Sequence, residues 1–227
     1  SQLKIIFHKS NKQAIQLMYL NYNFQLGKYA DVAQVNAYYY PQDNTIAFPA
    51  GILQGIFLTK TAQVSDKLII YIFQKINTFY SYLNYGAIGE VAGHEITHGF
   101  DDTGRQYNKE GDVHNWWDDQ TDYLFKKKSQ CIINQYGNYT VAEVGLNLNG
   151  INTQGENIAD NGGIKQAFRA YKSYVNRNGP EPPLPGLKYT PEQLFWISFG
   201  IQSCSKESKE FLKLMIEIDV HCPSKYR

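Results

Sequence analysis

The stretch His94-Glu95-Ile96-Thr97-His98 constrains this chain more than any other. On a helix, residues i and i+4 lie about 40° apart in azimuth and about 6 Å apart in height. Two imidazoles therefore leave one face towards one point, and Glu95 stands beside that face. Residues 86–100 read as the helix that carries them. A zinc ion held by two imidazoles and one carboxylate keeps a fourth position open, brings the pKa of a water there towards neutrality and polarises a peptide carbonyl. Glu95 can reach that water but not the metal, so it is placed to take the proton and pass it to the leaving amine. Such a pattern arises by chance in roughly 0.5–1% of chains this long. The competing reading is two ordinary helix histidines satisfied by carbonyls or water, and a third ligand decides between them.

Gly155-Glu156-Asn157-Ile158-Ala159-Asp160 supplies that ligand, with two carboxylates at i, i+4 that begin 58 positions after His98. One carboxylate can ligate, and the other can orient an imidazole by accepting its second N–H. Alone, the acidic pair would read as a solvated helix face. Beside the histidine pair it reads as Glu156 ligating and Asp160 orienting.

The rest of the chain is consistent with a folded enzyme of one large domain or two small ones. Hydrophobic residues make up 43% and aromatics 15%, enough apolar surface to offset the ordering entropy of folding. Lys and Arg number 22 against 21 Asp and Glu, a net charge of +1 that leaves no electrostatic footprint for nucleic acid. No apolar run approaches the ~20 residues of a membrane helix. The start lacks an initiating Met and a signal core, which reads as an excised piece of a longer chain.

Residues 32–40 and 45–48 are β-branched and aromatic around a Pro41-Gln42-Asp43-Asn44 turn, which predicts a strand pair. Apolar residues at Ile158, Ile164, Phe168 and Tyr171 predict a helix over residues 156–174. A Pro-rich loop over residues 178–186 ends it, and Thr190-Pro191 reads as an N-cap followed by proline at the first helical position. Residues 55–82 lack convincing periodicity. Trp116-Trp117 reads as buried helix-start aromatics, Lys126-Lys127-Lys128 as a solvated face, and His8 and His114 as surface or turn residues. Cys131, Cys204 and Cys222 form no C-x-x-C pair; they are either free buried thiols or partners of cysteines elsewhere. Asn138-Tyr139-Thr140 is a glycosylation sequon.

Four blocks, in order, carry a resemblance: Val35-Asn36-Ala37-Tyr38-Tyr39, residues 48–54, Gly93 through Asp102, and Gly150 through Gly163. Together they resemble the neprilysin and endothelin-converting-enzyme zinc metallopeptidases. The resemblance implies an α+β, mainly helical, thermolysin-like (gluzincin) catalytic domain with a small β edge, incomplete at both ends. It spans residues 35–227, after a poorly determined segment over residues 1–34. The implied function is zinc-dependent endopeptidase cleavage of oligopeptides on the amino side of hydrophobic residues. One Zn2+ per chain would be bound by His94, His98 and Glu156, with Glu95 as general base and Asp160 beside the first histidine. His221 would stabilise the oxyanion and Arg227 would bind the substrate backbone. Asn36 and Ala37 would align that backbone on an edge strand, a form of strand addition. Ile52 and Val91 would line the pocket for the residue after the scissile bond.

The same resemblance implies peptide substrates, an extracellular or cell-surface setting, a membrane-anchored parent chain, and a helical N-terminal domain packed over the cleft. Against that pattern, residues 55–82 read as an insertion, and Ser203 replaces a pocket tryptophan. Cys131 and Cys204 resemble cysteines paired with partners outside this chain, while Cys222 is extra. Two alternatives remain for the sequence: a truncated, inactive remnant or binding module, and a metal-independent helical interaction domain.

Overall fold

The computed structural model describes the backbone of residues 4–7 and residues 31–53 and 80–227 in full. Among the described residues the fold is mainly helical, with a three-stranded sheet at one side and a two-stranded ribbon at the other. The predicted strand pair forms as β2 (Tyr38–Tyr40) and β3 (Thr45–Phe48), antiparallel, with Tyr39 opposite Ile46. The proline turn between them is one 3-10 turn, closed by Asn44 in the left-handed conformation at φ 45°. β2 is shorter than predicted, and residues 36 and 37 precede it rather than belong to it. A strand the sequence did not suggest, β1 (Lys4–Phe7), pairs parallel with β3, so the sheet order β1-β3-β2 leaves β2 on an edge. The expected insertion over residues 55–82 lies outside the described residues except for its last three positions.

Two short helices follow, α1 (Ser81–Gly86) and α2 (Ile88–His98), the latter carrying the histidine pair. The long helices are α3 (Asp119–Gly137) and α4 (Gln154–Asn178), joined by the ribbon β4 (Thr140–Val141) and β5 (Leu146–Asn147). Asp118 caps α3 by accepting from the Thr121 N–H at 2.7 Å, which satisfies one of the four orphan donors of a helix start. The Pro-rich loop ends α4 as expected. Then α5 (Pro191–Gln202) opens on a full capping box between Thr190 and Gln193, and α6 (Lys209–Ile218) on a Ser208 cap. No helix among the described residues is long and apolar enough to cross a membrane.

Three apolar clusters hold these elements. Tyr82, Ala167, Tyr171, Leu194 and Phe195 fix α1, α4 and α5 together. Tyr136, Val141, Leu148, Leu212 and Cys222 bind the ribbon to α3, α6 and the C-terminal segment. Ala37, Ile46, Phe48 and Ile52 join the sheet to the face of α2 that bears Val91. Trp116 departs from expectation: it is 46% exposed, with its indole N–H donated to the Tyr107 carbonyl, while Trp117 packs beneath Arg105 and against Phe125. Cys131 and Cys204 are exposed and Cys222 is buried, all three as free thiols.

The contact that positions the site is α2 on α4. A Cβ built on Gly93 would stand 2.7 Å from the Gly163 carbonyl oxygen, and one on Gly163 would stand 2.5 Å from the His94 nitrogen. Only a pair of glycines lets the two backbones meet this closely, and that approach brings residues of α4 up to the histidine face of α2.

Candidate metal centre

His94 and His98 leave α2 one turn apart, with their rings edge to face and their Nε2 atoms 2.9 Å apart. Each ring is held from behind by a carboxylate. His94 Nδ1 lies 2.8 Å from Asp160 Oδ1, and His98 Nδ1 lies 2.6 Å from Asp101 Oδ2. A carboxylate only accepts, so each ring donates from Nδ1 and turns its Nε2 inward. Two Nε2 atoms at 2.9 Å need a proton or a metal cation between them, and with a carboxylate oxygen at the same point this donor set fits a metal ion.

Glu156 supplies the third donor from α4. Its Oε2 lies 3.2 Å from His94 Nε2, 3.6 Å from His98 Nε2 and 3.1 Å from His221 Nε2, yet it is buried and meets none of them in hydrogen-bond alignment. His94, His98 and Glu156 thus present three ligand atoms at one point. Burial opposes charge on both histidines, but the carboxylates outweigh it and lift His94 to about 9 and His98 to about 10. Burial alone would raise Glu156, but the three imidazoles hold it far below the usual carboxylate range. The surrounding carboxylates favour a positive charge at this point, and a divalent cation held by two imidazole nitrogens and a carboxylate oxygen would supply it.

A second grouping, Glu90 with His94 and Asp160, lies behind the ring of His94. Asp160 is already committed there. Arg227 donates Nε to its Oδ2 and Nη2 to its Oδ1, both at 2.8 Å, while His94 takes Oδ1 as well. Burial works against ionised Asp160, yet Arg227 and His94 bring it down to about 2, so it stays an anion that orients His94.

Asp101 does for His98 what Asp160 does for His94, and sequence reasoning did not single it out. Just beyond α2 its Oδ1 accepts from the Thr103 N–H at 2.8 Å and the Gly104 N–H at 2.6 Å, an Asx turn that leaves Oδ2 for the histidine. The signal in the sequence was Asp101 followed by Thr103-Gly104, a turn signature three residues past a ligand. Asp101→Asn should lower metal affinity about 10–100-fold with little change in fold, because the amide can present its NH2 where the imidazole N–H needs an acceptor. Competition with a chromophoric chelator would measure it, and an unchanged affinity would refute the orienting role.

Glu95 is 5% exposed and is not among the three converging donors; it borders the same cavity. Burial pushes its carboxyl up, while His94 and His98 pull it down. His221 reaches the site from the C-terminal segment with 41% of its side chain exposed, its Nδ1 2.9 Å from Asp219 Oδ1. The Glu156 carboxylate 3.1 Å from its Nε2 raises its pKa above the ordinary value, against the effect of burial. The segment is anchored by Asn152 Nδ2 on the Asp219 carbonyl, Lys225 on Glu143 and the Tyr226 hydroxyl on the Thr140 carbonyl.

His94, His98, Glu156, Asp160, Asp101, Glu95 and His221 border one cavity of about 550 Å³. Asn36, Ala37, Ile52, Val91 and Arg227 border it too, so every residue given a site role from the sequence lines the same cavity. His114 is exposed and is not part of that lining, and His8 lies outside the described residues.

Residues 72–227 match the model of Peptidase family M13. Among curated proteins, Neprilysin-2 of Drosophila melanogaster is 50% identical over 200 residues, covering 88% of this chain and 24% of its own length. Neprilysin of Mus musculus is 49% identical over 196 residues, covering 86% and 24%. The chain thus spans about a quarter of the length of these relatives. Among solved structures, the Mycobacterium tuberculosis zinc metalloprotease Zmp1 in complex with an inhibitor superposes with a TM-score of 0.75 at 32% identity, over 87% of this chain and 28% of that one.

Proposed function

Because this chain belongs to peptidase family M13, we propose that it forms the active site of a zinc metalloendopeptidase acting on oligopeptides at the cell surface or outside the cell. The observation that carries this reading is the convergence of two Nε2 atoms and one buried carboxylate oxygen in the wall of a cavity large enough for a peptide segment. His94, His98 and Glu156 would hold one zinc ion, and Asp160 and Asp101 would fix the two rings. Zinc bound there supplies Lewis-acid polarisation of the scissile carbonyl and a water acidic enough to lose its proton near neutral pH.

The chain's own groups account for the remaining work. Glu95, its proton affinity raised by burial against the opposing pull of two imidazoles, takes the water's proton and returns it to the leaving amine. His221, with raised pKa and Nδ1 fixed on Asp219, carries an Nε2–H that can donate to the carbonyl oxygen as negative charge develops on it. Arg227 is pinned on Asp160 and offers its remaining N–H to a substrate carbonyl. Asn36 and Ala37 run into the edge strand β2, where an extended peptide can add as a further strand. Ile52 and Val91 give apolar walls to the pocket for the residue after the scissile bond, and from these walls alone the sequence leads one to expect cleavage before hydrophobic residues. A helical N-terminal domain in the parent chain would close over this cleft.

The test is the zinc content of the purified chain alongside chelator-sensitive cleavage of a quenched fluorescent peptide with central Phe, Leu and Lys. Zinc near one per chain, with cleavage abolished by chelation and restored by metal, is the expected result. Cleavage that survives chelation, or bound zinc with no cleavage of any peptide, would sink the hydrolytic reading.

A further inference from the structure

Glu90 stands one helical turn before His94 and borders the same cavity, yet the mechanism above gives it no task. It is 4% exposed. Its Oε2 accepts from Gln202 Nε2 at 2.8 Å, while its Oε1 is buried with no partner among the described residues. Gln202 gives one of its two amide N–H groups to Glu90, and its own Oε1 is likewise buried and without a partner among the described residues. Two oxygens from residues that line the pocket therefore lack a donor. Buried polar atoms are rarely left in this condition, because each costs free energy until a partner meets it.

What surrounds the pair defines the partner. Ile52, Val91 and Phe199 line the same cavity, and Ser203 at the end of α5 adds only a small side chain to that lining. A ligand group that passes apolar walls and ends against two acceptors, one of them a carboxylate, needs an apolar stem and several N–H donors at its tip. Lysine and arginine side chains have that build. Arg227 does not meet the need: its hydrogen bonds go to the two oxygens of Asp160, and neither Glu90 Oε1 nor Gln202 Oε1 receives one from it.

We propose that Glu90, with Gln202, determines specificity in the pocket of Ile52 and Val91, and that it selects peptides carrying lysine or arginine immediately after the scissile bond. This rests on the peptidase reading for the identity of the pocket, and it replaces the hydrophobic preference expected from the sequence by a basic one. Burial first, and then Asp160, raise the Glu90 carboxyl to about 7 against the opposing pull of His94, Gln202 and Arg227. A cation arriving beside it favours the ionised form and exchanges an unpaired buried carboxylate for a paired one.

The full chain loaded with zinc would be given two sets of ligands, identical except at that one side chain, which is Lys, Arg, Gln or Leu. One set is quenched fluorescent peptides read as kcat/KM. The other is uncleaved peptidyl hydroxamates read as Kd by calorimetry. Lys and Arg should exceed Leu by about 10–100-fold in both, Glu90→Gln should remove most of that ratio, and Glu90→Met should reverse it. Glu90→Gln is isosteric, so it carries the test even if Glu90→Met fails to fold. Preference for Leu or Gln in the unmodified chain, a ratio that Glu90→Gln leaves unmoved, or no binding of any hydroxamate would overturn the proposal. Lys-selective hydroxamate binding without cleavage would uphold the pocket and overturn the hydrolytic reading, whereas cleavage chiefly before Leu would do the reverse.

Discussion

Glu95→Gln should abolish peptide hydrolysis, by at least about 10²–10⁴-fold in kcat, while the protein still binds one zinc. The side chain keeps its length and shape but can no longer accept a proton. It is not one of the three converging donors, so metal content should not fall. The fold should not suffer either. Glu95 is buried, and burial raises its proton affinity, which means the folded state bears a cost for its charge that a neutral amide removes. Thermal unfolding at neutral pH should therefore occur at the same temperature or a higher one. Turnover near the unmodified rate would contradict the assignment of Glu95 as base. Zinc loss together with a lower melting temperature would show that the carboxylate supports the site rather than acts in it.

Glu156→Ala should show the opposite pattern, with zinc lost first and activity lost because of it. Removing a donor that touches the metal should weaken affinity by more than the roughly 100-fold upper end seen when an outer-shell partner is lost. The variant also strips three imidazoles of the anion they share. In the chelated, unmodified protein, His94 and His98 titrate near 9 and 10, well above the ordinary 6.5. A raised histidine contributes stability that is fully present below about pH 6.5 and lost as pH rises through about 9 to 10. Glu156→Ala should shrink that alkaline loss, because much of the upward pull disappears with the carboxylate. Titrating zinc into both proteins and following unfolding against pH checks the two halves separately. Tight zinc binding by the variant would remove Glu156 from the ligand set.

The candidate ligands were legible because a helix turns a fixed spacing into a fixed direction. His94 and His98 needed only the four-residue interval, and Glu156 and Asp160 repeat it on a second helix. Helix ends were legible where chemistry marks them, as at Thr190-Pro191 and the Pro-rich loop after α4. What escaped depends on contacts between distant segments. Asp101 is an ordinary turn residue until its turn is seen to leave one oxygen free for His98. Glu90 shares its interval with His94, yet nothing local shows that its side chain accepts from the end of α5, 112 positions away. β1 pairs in parallel with a strand far along the chain, a register no local pattern encodes. Trp116 was misjudged because its polar tip found a backbone carbonyl at the surface instead of a core.

The glycine contact between α2 and α4 also governs the order in which the site can come into being. Each helix alone carries only part of the candidate donor set, two imidazoles on one and a carboxylate on the other, and the intervening chain is long. Local helix formation is fast, whereas closing so long a loop and seating two backbones at near-contact belongs to the late, cooperative part of folding. A compact state with intact helices but loosened packing would hold metal through two donors and let it go readily. Tight zinc binding is therefore a report that this one interface has closed, and metal affinity followed during refolding should rise with side-chain packing rather than with helix content.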